Sequence, residues 1–245
     1  MERSLQGRVA VVTGGAVRLG RAIAIGLGAR GARLVVHCNQ SRDAAEQTAG
    51  AIRSLGSEAS VVQADLTKSA EVARVFAAAD ALGGCDLLVN SAAIFEKKAL
   101  EQIDDDAWRH MIDVNLSAPF YCCRAAAGPM RAKPGACIVN ILDVGGTSLA
   151  WRNHAHYCAA KAGLAMLTRC LALELAPQIR VNAVAPGTVL FPESYADEEK
   201  ERVIARVPLG RVGTPQDVVE AVAYLATAPF VTGQILAVDG GRSGA

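Results

Sequence analysis

Val9-Ala10-Val11-Val12-Thr13-Gly14-Gly15-Ala16-Val17-Arg18-Leu19-Gly20 is the stretch on which the reading of this chain turns. Its first five residues are β-branched or small, the composition of a buried strand. Glycines at 14, 15 and 20 allow a tight turn and close backbone approach, and Leu19, Ile23 and Leu27 then recur four apart in a helix stopped by Gly31. A strand, a glycine turn and a helix start in that order present unpaired amides to a pyrophosphate, so the segment reads as a dinucleotide turn. It matches neither G-x-G-x-x-G nor G-x-x-x-x-G-K-[ST], and its reading rests on its place between strand and helix.

The same alternation continues along the chain. Strands are expected at Val9 to Thr13, Arg33 to His37, Ser60 to Ala64, Leu87 to Asn90, Cys137 to Leu142, Arg180 to Ala185 and Ile235 to Val238. Helices are expected from Ser41 toward Leu55 and Gly56, from Ser69 to Ala81, from Asp104 to about Met130 with Pro119 as a bend, from Tyr157 to Leu175, and from Pro215 to Ala226. This is the pattern of an α/β fold, a parallel sheet with crossover helices on both faces. At 245 residues and 51% hydrophobic content, one domain spanning 1–245 is the simplest organisation. The irregular stretch from Gly187 to Leu209, with Pro192 and Pro208, follows a strand where such sheets place their ligand crevice, and is the expected substrate lid.

Composition excludes several classes. The net charge is +1 without a basic run, which argues against a nucleic-acid partner. Cysteines at 38, 85, 122, 123, 137, 158 and 170 show neither C-x-x-C nor metal-ligand spacing, so no metal site is expected and the thiols read as buried in a reducing compartment. The first residues lack the pattern of a signal peptide, and no apolar run reaches bilayer length. A cytoplasmic protein is the expectation, with no membrane partner.

Tyr157 and Lys161 lie four apart on an expected helix and so share one face. An ammonium beside a phenol favours the phenolate, bringing its pKa toward the range useful for proton transfer. Beside a dinucleotide turn, the pair reads as a general acid working next to a bound nucleotide.

Together these residues resemble the short-chain dehydrogenase/reductase family, whose turn reads T-G-x-x-x-G-x-G and whose catalytic pair is Y-x-x-x-K. Further matches are Asp65 after the third strand, Asn90-Ser91-Ala92-Ala93, Asn115 in the long helix, Pro186-Gly187 after the sixth strand, and Val238-Asp239-Gly240-Gly241. The resemblance implies a Rossmann-like, doubly wound sheet of seven parallel strands and a homotetramer formed through the long helices, with Leu116, Phe120, Met166, Leu167 and Leu171 on the faces concerned. It implies a cofactor surface of Gly14, Arg18, Leu19, Gly20, His37, Asn39, Gln40, Ser41, Asp65, Leu66, Asn90, Ser91, Ala92, Tyr157, Lys161, Pro186, Gly187 and Val189. Asn115 would anchor a relay water, and Lys161 would hold the nicotinamide ribose.

Two departures sharpen the reading. An enzyme choosing NAD places a carboxylate after the second strand, whereas His37-Cys38-Asn39-Gln40-Ser41-Arg42 has none there. Arg18 and Ser41, with Arg42 as a further donor in place of an Arg at 40, suit a 2′-phosphate, so NADPH is the expected cofactor. Asp143 stands where a carbonyl reductase has a serine, and this residue, Arg18 and Phe95 look like the pteridine reductase branch. That likeness implies reduction of a pterin or dihydrofolate C=N bond, with Tyr157 and Asp143 as proton donor or relay and Phe95 stacked on the substrate. The alternatives are a carbonyl reductase acting on 3-oxoacyl thioesters, with Thr147 or Ser148 supplying the hydroxyl, and an NADPH-binding interaction protein without catalysis. His154 and His156 carry no assigned role.

Overall fold

The computed structural model describes residues 5–191 and 195–244. Strands β1 (Val9–Thr13), β2 (Arg33–Cys38), β3 (Ala59–Gln63), β4 (Leu87–Asn90), β5 (Ala136–Ile141), β6 (Ile179–Pro186) and β7 (Ile235–Val238) form one sheet in the order β3-β2-β1-β4-β5-β6-β7. Every pairing is parallel. The chain runs outward from β1 to β3 and returns to place β4 beside β1, so the order reverses between β1 and β4, and a crevice opens at their carboxyl ends.

Alternate residues of each strand face opposite helical layers. Val12 and Val36 pack with α1 (Arg18–Gly28), α2 (Arg42–Ser54) and α9 (Pro215–Thr227) on one face. Val11, Val35 and Ile138 pack with α3 (Ser69–Ala81) and α5 (Ala118–Met130) on the other. Both faces are covered, which explains why the central strands read as continuous apolar runs. Each fully buried Leu or Ile, such as Leu34, Leu88 and Ile138, contributes about 1.5–3 kcal/mol.

The helix expected as one piece from Asp104 to Met130 is in fact α4 (Asp105–Ile112), a π-turn at Asp113–Ser117, and α5. Pro119 accounts for the break: it has no N–H, so the carbonyl of Asn115 lacks its ordinary α-helical donor and the ladder slips by one residue. The irregular turn α6 (Val144–Thr147) follows β5 and leads into α7 (Ala155–Leu175). Within the expected lid, α8 (Asp197–Ile204) buries none of its residues, and Pro192 falls outside the described residues. The thiols are not all buried as expected: Cys158 is half-buried and Cys170 is exposed. Among the described residues, no helix is long and apolar enough to cross a membrane.

Candidate functional site

Tyr157 and Lys161 stand in the first turns of α7, both nearly inaccessible to solvent. The phenol donates to Oδ2 of Asp143 across 3.0 Å, while Oδ1 of Asp143 accepts the amide of Gly145 at 2.7 Å. Burial pushes the Asp143 carboxyl up to about 6, against the opposing pull of the Gly145 amide, Tyr157, Lys161 and Arg242. The expectation that Lys161 lowers the Tyr157 pKa is corrected here. Burial and the Asp143 carboxylate hold the phenol well above its usual range. The Lys161 ammonium, brought down to about 8 by burial, instead donates to the carbonyl of Ile141 at 3.0 Å and lies 5.7 Å from the Tyr157 ring centre. A phenol held this way remains protonated at neutral pH, so it is a donor.

Asn115 is fully buried in the π-turn, its amide donating to the carbonyls of Ile94 and Met111, both at 3.1 Å. It thereby pins the loop after β4, which carries Phe95, to the helix. Phe95 is half exposed rather than a core residue, and its ring meets Tyr157 edge-on at 4.9 Å and stacks on His154 at 4.7 Å. Trp151 stacks on Tyr157 at 6.3 Å. The two neighbouring hydroxyls stand differently. Thr147 donates its hydroxyl to the backbone carbonyl of Asp143 at 2.8 Å, and Ser148 is exposed.

The phosphate turn is built as its sequence suggests. Gly14 adopts φ +63, and a Cβ there would lie 2.8 Å from Ala92 Cα; one at Gly20 would lie 2.1 Å from the Gly14 carbonyl oxygen. Val17, the residue before α1, provides no side-chain cap, so the first amides of that helix stay open to an anion. Thr13 Oγ1 accepts the amides of Ser91 and Ala92 at 3.0 and 3.1 Å, joining the turn to the loop after β4. Asn90 donates to Asn140, and Asn140 to Thr168, each at 2.9 Å, tying β4, β5 and α7 together beneath the site. His37 was expected to contact the cofactor, but its ring is buried. Its Nδ1 accepts the Gly14 amide at 3.1 Å and its Nε2 lies 2.9 Å from the Ala64 carbonyl, so the side chain positions the turn. The peptide carbonyl of the same residue accepts the Gly15 amide at 2.9 Å.

Asn39, Arg42 and Asp65 line one cleft beyond β2, with Gln40 and Ser41 exposed beside it. Ser41 precedes α2 without capping it, which leaves its hydroxyl free for a ligand. Asp65 is turned into its own loop, where Thr67 donates both amide and hydroxyl to it and holds its carboxyl below the usual range. Arg18 is exposed and adopts φ +50, a left-handed conformation that costs a side-chain-bearing residue about 1–2 kcal/mol. Leu66 is buried, and Pro186 ends β6, with Gly187 and Val189 just after it, at the carboxyl end of the strands. The turn, the free helix start and the absence of a carboxylate after β2 fit a nicotinamide dinucleotide.

Comparison with known proteins bears on this site. Residues 15–243 match the family described as Enoyl-(Acyl carrier protein) reductase. The chain belongs to the short-chain dehydrogenase/reductase family. It is 41% identical to the 3beta-hydroxysteroid dehydrogenase 1 of Eggerthella lenta, with 99% of this chain and 96% of that protein covered. It is likewise 41% identical to the cis-4-hydroxycyclohexanecarboxylate dehydrogenase of Sinomonas cyclohexanicum, covering 96% of each. A solved dehydrogenase/reductase from Sinorhizobium meliloti 1021 superposes with a TM-score of 0.92 at 34% identity, covering 98% of this chain and 96% of that one.

As a short-chain dehydrogenase/reductase the chain is an oxidoreductase that uses a nicotinamide cofactor. None of these relatives is a pteridine reductase, so the narrower branch read from Asp143, Arg18 and Phe95 gains no support from them. Two residues of the site, Trp151 and Arg242, went unread in the sequence, and His154 was named there without a role. Trp151 and His154 belong to the aromatic cluster, and Arg242, near the C-terminus, has its guanidinium 6.0 Å from the Trp151 ring centre. No local spacing marks them, because a loop and the chain end bring them together.

Proposed function

We infer that this short-chain dehydrogenase/reductase interconverts a ketone and a secondary alcohol carried on a ring, using NADPH. The Tyr157–Asp143 hydrogen bond is the observation that carries the reading. A bound nicotinamide supplies or accepts the hydride at carbon. Tyr157 gives its proton to the carbonyl oxygen, and Asp143, accepting the Tyr157 hydroxyl and itself titrating near 6, relays the replacement proton. About a tenth of Asp143 is protonated at neutral pH, and in that state its O–H can donate to a substrate oxygen as a serine hydroxyl would. The rings of Phe95, Trp151 and His154 around Tyr157 suit a flat or cyclic substrate, and both dehydrogenases at 41% identity are named for ring alcohols.

NADPH is favoured over NADH by exposed Arg18 and Arg42, by the free Ser41 hydroxyl, and by the lack of a carboxylate at residues 39–42. Assembly into a homotetramer is consistent with the exposed Phe120 and Met166 on the long helices, whereas Leu116 packs inward on Gly163.

A second reading, reduction of a pterin-type C=N bond, is favoured by Asp143 alone. A carboxylate pairs with the guanidine-like edge of a pterin in a way a hydroxyl does not. NADPH consumption by the purified protein, measured with substituted cyclohexanones, acetoacetyl thioester and dihydrobiopterin, separates the readings. Turnover of the ring ketones supports the first. Turnover of dihydrobiopterin alone replaces it with the second, and thioester turnover alone rejects the ring preference.

A further inference from the structure

Resting on the ring-ketone reading, we propose that Arg242 holds an anionic group, a carboxylate above all, at the end of the substrate remote from its carbonyl. Val238 ends β7, and the turn that follows is held by Asp239, whose two oxygens accept the amides of Gly241 and Ser243 at 2.9 and 2.7 Å. This fixes the backbone from which Arg242 reaches back across the site. One guanidinium nitrogen donates to Thr188 Oγ1 at 3.0 Å, just past β6, and the group lies 6.0 Å from the Trp151 ring centre.

Two observations point to a ligand. Among the described residues, no carboxylate forms an ion pair with Arg242, although its side chain is only half exposed. Trp151, against which it lies, buries its indole N–H without a partner. A guanidinium fork and an indole N–H are together a donor-rich setting for an acceptor-only group. Trp151 also stacks on Tyr157, so the anion would sit one aromatic ring away from the proton donor. Arg242 is then a specificity-determining residue that sorts ring ketones by charge.

The test compares 4-oxocyclohexanecarboxylate with its methyl ester in the wild type, in Arg242→Gln and in Arg242→Lys. The expected result is a kcat/KM for the acid at least about tenfold above that for the ester, with that preference lost in Arg242→Gln through KM and partly restored in Arg242→Lys, the ester being affected much less than the acid. Equal turnover of acid and ester in the wild type, or an equal loss for both in Arg242→Gln, overturns the proposal. Calorimetric titration with cyclohexanecarboxylate reads the same contact without chemistry, and Arg242→Gln should weaken that binding about tenfold or more. Absence of turnover with every ketone rejects the ring-ketone reading while this titration still decides the role of Arg242: binding insensitive to Arg242→Gln overturns it.

Discussion

Tyr157 and Asp143, fourteen residues apart, share a 3.0 Å hydrogen bond in which the phenol is donor and the carboxylate acceptor. The proposed roles of the pair follow from the direction of that bond. A phenol held above its usual pKa gives up a proton only as charge develops on the substrate, and the buried carboxylate is the group able to hand one back.

Replacing Tyr157 by Phe keeps the ring and its contacts with Phe95 and Trp151 but removes the transferable proton. Turnover should fall by about 10²-fold or more while NADPH affinity is largely kept. Steady-state kinetics with a fluorescence titration of NADPH checks this, and near-normal turnover would falsify the donor role.

Asp143 links the site to stability. Its pKa is raised from 3.8 to about 6 by burial, so its contribution to folding is fully present below pH 3.8 and is lost as pH rises through 6. Asp143→Asn stays neutral throughout. Its stability relative to the wild type should therefore improve from pH 4 to pH 7, by up to about 3 kcal/mol, as read from denaturation midpoints across that range. A difference that stays constant with pH would show that the carboxyl is not perturbed.

Arg18→Gly places the residue suited to φ +50 at that position and removes one phosphate donor. Thermal stability should hold or rise slightly, while the preference for NADPH over NADH drops about tenfold. A loss of stability with unchanged cofactor preference would reverse the assignment.

Asn140→Ala cuts the chain from Asn90 to Thr168 beneath the site and leaves the Asn90 amide with fewer partners in a fully buried place. A loss of about 1–3 kcal/mol is expected in urea denaturation, with activity falling as the spacing between β4 and α7 relaxes.

Local patterns made most of the fold legible. β1, β4 and β7 begin and end where the apolar runs do, and the other four strands differ by one residue at each shifted end, because the central strands of a parallel sheet covered on both faces are near-continuous apolar runs. The helix from Asp104 to Met130 was harder, since Pro119 lies past the π-turn, six residues after its start at Asp113. In the site, the Tyr157–Lys161 spacing and the turn could be read directly. The neighbours Trp151 and Arg242 could not, and His154 could be named only without a role, because the three meet only in the folded chain. The effect of Lys161 on the phenol was misjudged for a related reason: helical spacing says that two residues share a face, not that the ammonium donates to the phenol instead of to Ile141.

His37 has a consequence for how charge is met at the turn. Both glycine amides that open it, those of Gly14 and Gly15, point inward to this one residue, one to its ring and one to its carbonyl. The amides left open to a diphosphate are those at the mouth of α1, which Val17 does not cap, so a bound diphosphate would meet the positive end of the helix dipole. The same arrangement needs the imidazole in one neutral tautomer, with Nδ1 bare, and burial holds its pKa down. Acid sufficient to charge that ring would set two N–H groups against each other and release the turn from β2, so the protein would shed its nucleotide while the sheet itself was still intact.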